Sequence, residues 1–253
     1  MNAGTRVLYS GAPFNHFDTD TETMSQAPGK ELTSAPRRKR SEASEARRQR
    51  QIDEKRRNIL NAALELFSTF GFHGTSVDQI AERADVSKGN LLYYFRNKDD
   101  LYASLLRDLL ALWLEPLRAF SVEQDPVEAI PAYIHQKLIA SRDNPAASRL
   151  FCIEIMQGAP VFGNELLANL KVLVQEKQAV IEQWIADGKL APVTPHHLIF
   201  FLWATTQHYA DFSFQVEGLT GKTLKNRKFF AEVERNLCDI VLAGILPRTG
   251  CKA

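Results

Sequence analysis

The chain has 253 residues, 45% of them hydrophobic, which is enough for one large domain or two modest ones. Its formal net charge of +1 hides an uneven distribution: residues 36–98 hold 14 Lys and Arg against 8 Asp and Glu, and the remainder holds 17 against 22. A basic front ahead of an acidic body suits a protein that offers one end to a polyanion, and no run reaches the roughly 20 apolar residues that cross a bilayer.

The N-terminus carries no apolar signal core, so a cytoplasmic protein without membrane contact is expected. Cys152, Cys238 and Cys251 stand too far apart for a metal knuckle, and an odd number argues against a complete disulfide framework. Reduced thiols are the expectation.

Residues 1–50 show no sustained periodicity and are rich in Gly, Ser, Thr, Pro and charge, which predicts a disordered basic tail. Arg37, Arg38, Lys39 and Arg40, followed by Arg47, Arg48, Arg50, Lys55, Arg56 and Arg57, either track phosphates or act as a solvated charge run. From Ile52 onward the pattern turns helical. Ile59, Ala62, Ala63, Leu66, Phe67 and Phe70 recur at helical spacing, and Gly71 supplies a stop.

Thr75 and Ser76 offer N-caps for a short helix with Val77, Ile80, Ala81 and Ala84 on one face. Asp85, Val86 and Ser87 break it, and Ser87 can cap a second short helix from Lys88 to Phe95. A longer helix followed by two short ones across a tight turn is the pattern of a three-helix helix-turn-helix domain, assigned to residues 51–97. In its second short helix Leu91, Leu92 and Phe95 are expected to pack inward, leaving Lys88, Gly89, Asn90, Tyr93 and Tyr94 outside.

The N-terminal end of that helix should enter the major groove of double-stranded operator DNA. There Asn90 can pair with a base edge and Lys88 with guanine or phosphate, while Thr75, Ser87, Tyr93 and Lys98 suit phosphates and Ser76 joins the DNA-binding set beside them. Gly89 and Tyr94 complete the expected DNA-binding set. The two tyrosines can equally be ordinary packing.

Asn97 caps a helix running from Lys98 to the neighbourhood of Pro116, and further helices are read at 127–142, 146–157, 163–187, 196–217 and 226–246. No useful alternating pattern appears, so the fold class is all-α, with a helical bundle over residues 98–247 whose segments are long enough to enclose a small cavity. In that bundle Trp113 and Trp203 can wall a flat ligand. Gln207, one turn after Trp203 on the same face, can donate and accept toward an imide edge, or else bond a neighbouring helix.

His196 and His197 are expected to point apart and His208 to pack or lie at an interface, with no metal site. No nucleophile elbow, phosphate-binding glycine loop or apolar carboxylate pair is present, so no enzyme activity and no cofactor are expected.

The run Val86-Ser87-Lys88-Gly89-Asn90-Leu91-Leu92-Tyr93-Tyr94-Phe95, followed by Arg96-Asn97-Lys98-Asp99-Asp100-Leu101, resembles the signature of the TetR family of transcription regulators. Leu92 replaces a frequent Tyr and Arg96 a frequent Pro. Further runs resemble the pyrimidine-utilisation regulators of that family, among them Ala147-Ser148-Arg149-Leu150-Phe151-Cys152 and Trp203-Ala204-Thr205-Thr206-Gln207-His208-Tyr209-Ala210-Asp211-Phe212. The resemblance implies uracil or thymine as effector, with Trp113, Trp203 and Gln207 binding it, and a homodimer formed through the last two helices. A family member sensing another small molecule, for efflux or lipid genes, is the alternative.

Overall fold

A computed structural model describes residues 42–247, and among these every regular element is a helix. In chain order they are α1 (Glu42–Phe70), α2 (Val77–Arg83), α3 (Lys88–Tyr94), α4 (Lys98–Arg118) and α5 (Pro126–Asp143). Then follow α6 (Pro145–Met156), α7 (Gly163–Ala186), α8 (Pro195–Asp211), α9 (Ser213–Thr220) and α10 (Arg227–Ile245).

Helix α1 begins well before Ile52. Residues 42–50, read from sequence as part of the tail, are helical because Ala, Glu, Arg and Gln propagate a helix without an apolar stripe. Residues 42–58 belong to the first of two units of the chain, and among them the Gln49 amide donates to Asp53 Oδ1 at 2.9 Å. The Arg37 to Arg40 run lies outside the described residues.

From Ile59 onward the chain forms the second unit. Ile59, Leu60, Ala63 and Phe67 of α1 bury completely or nearly so, joined by Ile80 and Ala81 of α2, Leu91 of α3 and Phe95 just after it. The turn between α1 and α2 is tight: a Cβ on Gly74 would lie 2.3 Å from the Phe70 carbonyl oxygen, so only glycine fits. Helix α2 stops in a Schellman arrangement, with Val86 N bonding Ala81 O at 3.0 Å and Asp85 N bonding Glu82 O at 3.1 Å. Asp85 takes the left-handed position at φ 54°, where glycine is more usual.

Helix α4 keeps going through Pro116 to Arg118, and its inner stripe from Leu101 to Leu117 is buried. Helices α5 and α8 make the most extensive pairing in the bundle, with α4, α6 and α10 also packed on α5. The segment 196–217, read as one helix, is two: α8 ends at Asp211, Phe212 departs from helical geometry at φ −111° and ψ 31°, and α9 begins at Ser213. Neither Gly nor Pro marks that break, and α9 runs past Gly218 to end at Gly221 in the left-handed region at φ 66°.

Candidate DNA-reading face and effector site

The short helices of the head are held by caps. Ser76 Oγ accepts from Gln79 N at 3.2 Å while Gln79 Oε1 accepts from Ser76 N at 2.8 Å, a full capping box. Ser87 Oγ accepts from Asn90 N at 3.1 Å, and Asn97 Oδ1 from Asp100 N at 2.8 Å. Three helix N-termini are thereby fixed. Residues from the α1–α2 turn, the start of α2, α3 and the start of α4 line an open cleft of about 550 Å³, which brings together Thr75, Ser76, Lys88 and Lys98.

Each expected DNA contact has a definite place. Lys88 is exposed and pairs with Asp78 at 2.9 Å, an exchangeable surface bridge of small energy. At Gly89 a Cβ would meet nothing within 4 Å, so protein packing does not require glycine there. Tyr93 is 72% exposed, whereas Tyr94 is half-buried and meets it edge-on at 5.3 Å. Asn90 is half-buried, with Oδ1 lacking a protein partner.

Besides the capping serines and Lys88, two members of the set bond the α1–α2 turn. Thr75 is buried and its hydroxyl donates to Gly71 O at 2.9 Å. The Lys98 ammonium donates to Phe72 O at 2.9 Å and Thr75 O at 3.1 Å and lies 4.2 Å from the centre of the Phe72 ring, tying the α1–α2 turn to α4. Leu92 does not pack inward as expected: it is exposed and lines the cleft, because one residue beyond Leu91 on a helix turns about 100° away from the core.

The second cluster lies in the bundle. Trp113 is buried, with Nε1 lacking a protein partner, and the Lys137 ammonium sits 4.4 Å from the centre of its ring. That same ammonium is 3.4 Å from Gln207 Oε1, so Lys137 of α5 joins Trp113 of α4 to Gln207 of α8. One turn before Lys137, Tyr133 is buried with its hydroxyl unpartnered; the Trp203 side chain is close enough to influence it without a well-formed hydrogen bond. Trp203 and Gln207 are half-buried. Phe120 packs against Tyr133 and Trp184, at 5.4 Å and 5.3 Å between ring centres, closing the apolar side.

Electrostatics follow from burial. Lys137 is only 1% exposed, and desolvation pulls its pKa down to about 7 against the opposing pull of Asp211. Burial also raises the Asp211 carboxyl above the usual carboxylate range, opposed by hydrogen bonds from Ser148 and Cys152 and by the charge of Lys137. Desolvation raises Tyr133 in turn.

The comparisons with known proteins agree with this architecture. The model for "Bacterial regulatory proteins, tetR family" matches residues 59–105, and that for "YcdC-like protein, C-terminal region" matches residues 106–248. The HTH-type transcriptional regulator RutR of Escherichia coli (strain K12) is 53% identical over 202 residues, covering 80% of this chain and 95% of that protein. The chain belongs to the TetR family.

Among solved TetR-type structures, a TetR family transcription regulator from Marinobacter aquaeolei VT8 superposes with a TM-score of 0.63 at 21% identity, covering 79% of this chain and all of that one. AibR, solved in complex with isovaleryl coenzyme A and operator DNA, gives 0.51 at 20% identity, covering 62% of this chain and 85% of that one. These two likenesses concern the fold alone. The TetR assignment makes this chain a helix-turn-helix transcriptional regulator resembling RutR and not an enzyme.

Within this TetR chain, sequence reasoning missed Tyr133, Lys137 and Asp211. A signal for Lys137 existed: Ile130, Tyr133, Ile134, Lys137, Leu138 and Ser141 form one buried stripe of α5, and a lysine is out of place there. Asp211 follows Gln207 by four residues on α8, continuing the Trp203 and Gln207 face. His196 and His197 do not point apart as expected; their rings lie 4.2 Å apart at 52°, with Phe200 beside both. His208 is exposed and stacks on Phe212 at 5.0 Å. Cys152 and Cys238 are free thiols, and Cys251 lies outside the described residues. No described helix is long and apolar enough to cross a membrane.

Proposed function

We propose that this regulator is a cytoplasmic homodimer that holds a near-palindromic operator through α3 and releases it when uracil or thymine occupies the cluster around Trp113, Trp203 and Gln207. Support for the ligand class comes from the resemblance of the effector-domain runs to pyrimidine-utilisation regulators and from the 53% identity with RutR. The observation that carries the reading is chemical. Aromatic rings and directional polar groups, buried or half-buried, stand together inside the bundle, which is what a flat heterocycle with alternating N–H and C=O groups needs. A fatty acyl chain offers the buried Lys137 ammonium no acceptor beyond Gln207 Oε1, and so is disfavoured.

On the DNA side, Asn90 reads a base edge, Lys88 exchanges Asp78 for guanine or phosphate, and Gly89 permits close approach of the backbone. Ser76, Ser87, Tyr93, Thr75 and Lys98 face phosphates, the last two chiefly by fixing the turn that presents its backbone N–H groups. Tyr94 supports Tyr93. Exposed Phe200 and Phe201 on α8 and Ile240 on α10 supply apolar surface for a four-helix dimer bundle.

Coupling runs through α4. Its Tyr102 packs on Phe67 and Phe72 in the head at 4.9 Å from each, and Trp113 stands eleven residues on, about 16 Å along the helix. A ligand that prefers a shifted α4 changes the spacing of the two recognition helices, which must sit about 34–36 Å apart. Isothermal calorimetry of the full chain with uracil, thymine and a fatty acyl ligand tests this reading: saturable heat with the first two supports it, and heat with the acyl ligand alone overturns it.

A further inference from the structure

The cluster holds more hydrogen-bond donors than acceptors. Trp113 Nε1 can only donate, the Tyr133 hydroxyl is free to donate, and both are buried without a protein partner. The Lys137 ammonium carries three protons, and its hydrogen bond to the protein is the long one of 3.4 Å to Gln207 Oε1. Asp211 is engaged elsewhere, accepting from the Ser148 hydroxyl and from Cys152. On the apolar stripe of α5 the ammonium has only that long hydrogen bond and the face of the Trp113 ring at 4.4 Å, which leaves most of its donor capacity unused.

We propose that Lys137 is the specificity-determining residue of the effector site, donating from its ammonium to a carbonyl oxygen of a flat ring that offers oxygen acceptors on two edges. The proposal rests on the pyrimidine reading above and deepens it. Gln207 Oε1, the neighbouring acceptor, takes the ring N–H beside that oxygen, while Trp113 Nε1 and the Tyr133 hydroxyl are the further donors available to the second oxygen. A site of this composition ranks ligands by their oxygen acceptors: a dioxo ring satisfies it, replacing oxygen by sulfur weakens the bond made to that atom, and an exocyclic amine presents a donor to a donor.

The test is a chemical double-mutant cycle by calorimetry on the full chain, with uracil, 2-thiouracil, 4-thiouracil and cytosine against wild type, Lys137→Met and Lys137→Gln. Wild type should bind uracil at least tenfold more tightly than one of the two thio analogues and than cytosine. Lys137→Met should lose about ten- to a hundredfold in uracil affinity, and the penalty for that one thio analogue should shrink to less than threefold, because the donor that sensed the oxygen is gone. Lys137→Gln keeps an uncharged donor and should fall between.

Should Lys137→Met fail to fold, the Lys137→Gln and wild-type series decide. Unchanged uracil affinity and an unchanged thio penalty in a folded Lys137 variant, or a wild type indifferent to both sulfur substitutions, overturns the role of Lys137 while leaving pyrimidine sensing in place. A wild type that binds none of the four ligands overturns both.

Discussion

The helix-turn-helix head and the cluster around Trp113, Lys137 and Gln207 treat their polar groups in opposite ways. In the head, Ser76, Ser87 and Asn97 each satisfy a helix N-terminus, Thr75 and Lys98 bond the α1–α2 turn, and Asn90 Oδ1 is the one buried side-chain atom among the described residues 59–97 that lacks a protein partner. In the cluster, Trp113 Nε1 and the Tyr133 hydroxyl have no protein partner and Lys137 has one long hydrogen bond. Local bonds thus preform the cleft that gathers the expected DNA contacts. The Trp113 cluster instead keeps donors buried among aromatic rings, where an acceptor is worth most.

The sharpest separation of the two regions comes from Gln207→Leu, which keeps volume and removes donor and acceptor. Uracil affinity should fall by about 1–3 kcal/mol, with operator affinity as in wild type and operator release no longer driven by moderate uracil. Calorimetry and a gel-shift titration check both halves. A parallel loss of DNA binding would mean that the cluster supports the head's fold.

Asn90→Ala should do the converse. Its cost of about 1–3 kcal/mol should fall at one operator position, measured across a set of single-base variants, while uracil binding stays put. A uniform loss across all variants would make Asn90 a phosphate or packing residue.

A milder contrast appears with pH. Lys137 binds its proton less tightly in the folded chain, at about 7, than in the unfolded one, near the ordinary lysine value of 10.5. Between those two values the unfolded state holds the extra proton, so this group's contribution to stability rises with pH; below about 7 its penalty is present in full. The melting temperature of wild type relative to Lys137→Met should therefore climb from pH 7 to pH 9. A flat difference would show that the ammonium is well solvated.

The smallest effect is expected for Lys98→Met. Binding should weaken alike on all DNA sequences, with the salt dependence flattened by at most about one counterion, since two of the ammonium's three protons already serve Phe72 O and Thr75 O. A larger change in salt slope would assign Lys98 to direct phosphate contact.

The head was legible in the sequence because its signals are local. Ser76 with Gln79, Ser87 before Lys88, and Asn97 before Lys98 are caps readable at fixed offsets, and each makes its bond. Leu92 was misplaced because two adjacent leucines cannot both face one core, and spacing alone did not say which one would.

The cluster was only half legible. Trp113, Trp203 and Gln207 announce themselves by residue type, but the lysine that links two of them reads like any solvated charge until its stripe is known to be buried. The break at Phe212 had no Gly or Pro to mark it, and the early start of α1 had no apolar period, since a charged, Ala-containing stretch extends an existing helix on propensity.

The most direct test of the whole account is footprinting of the full chain on its operator while uracil, thymine or cytosine is titrated in. A near-palindromic footprint that disappears with uracil or thymine and persists with cytosine is the predicted result, because the donor-rich cluster accepts two carbonyl oxygens and resists an amine. Protection that uracil and thymine leave intact at concentrations that saturate the protein by calorimetry would contradict it.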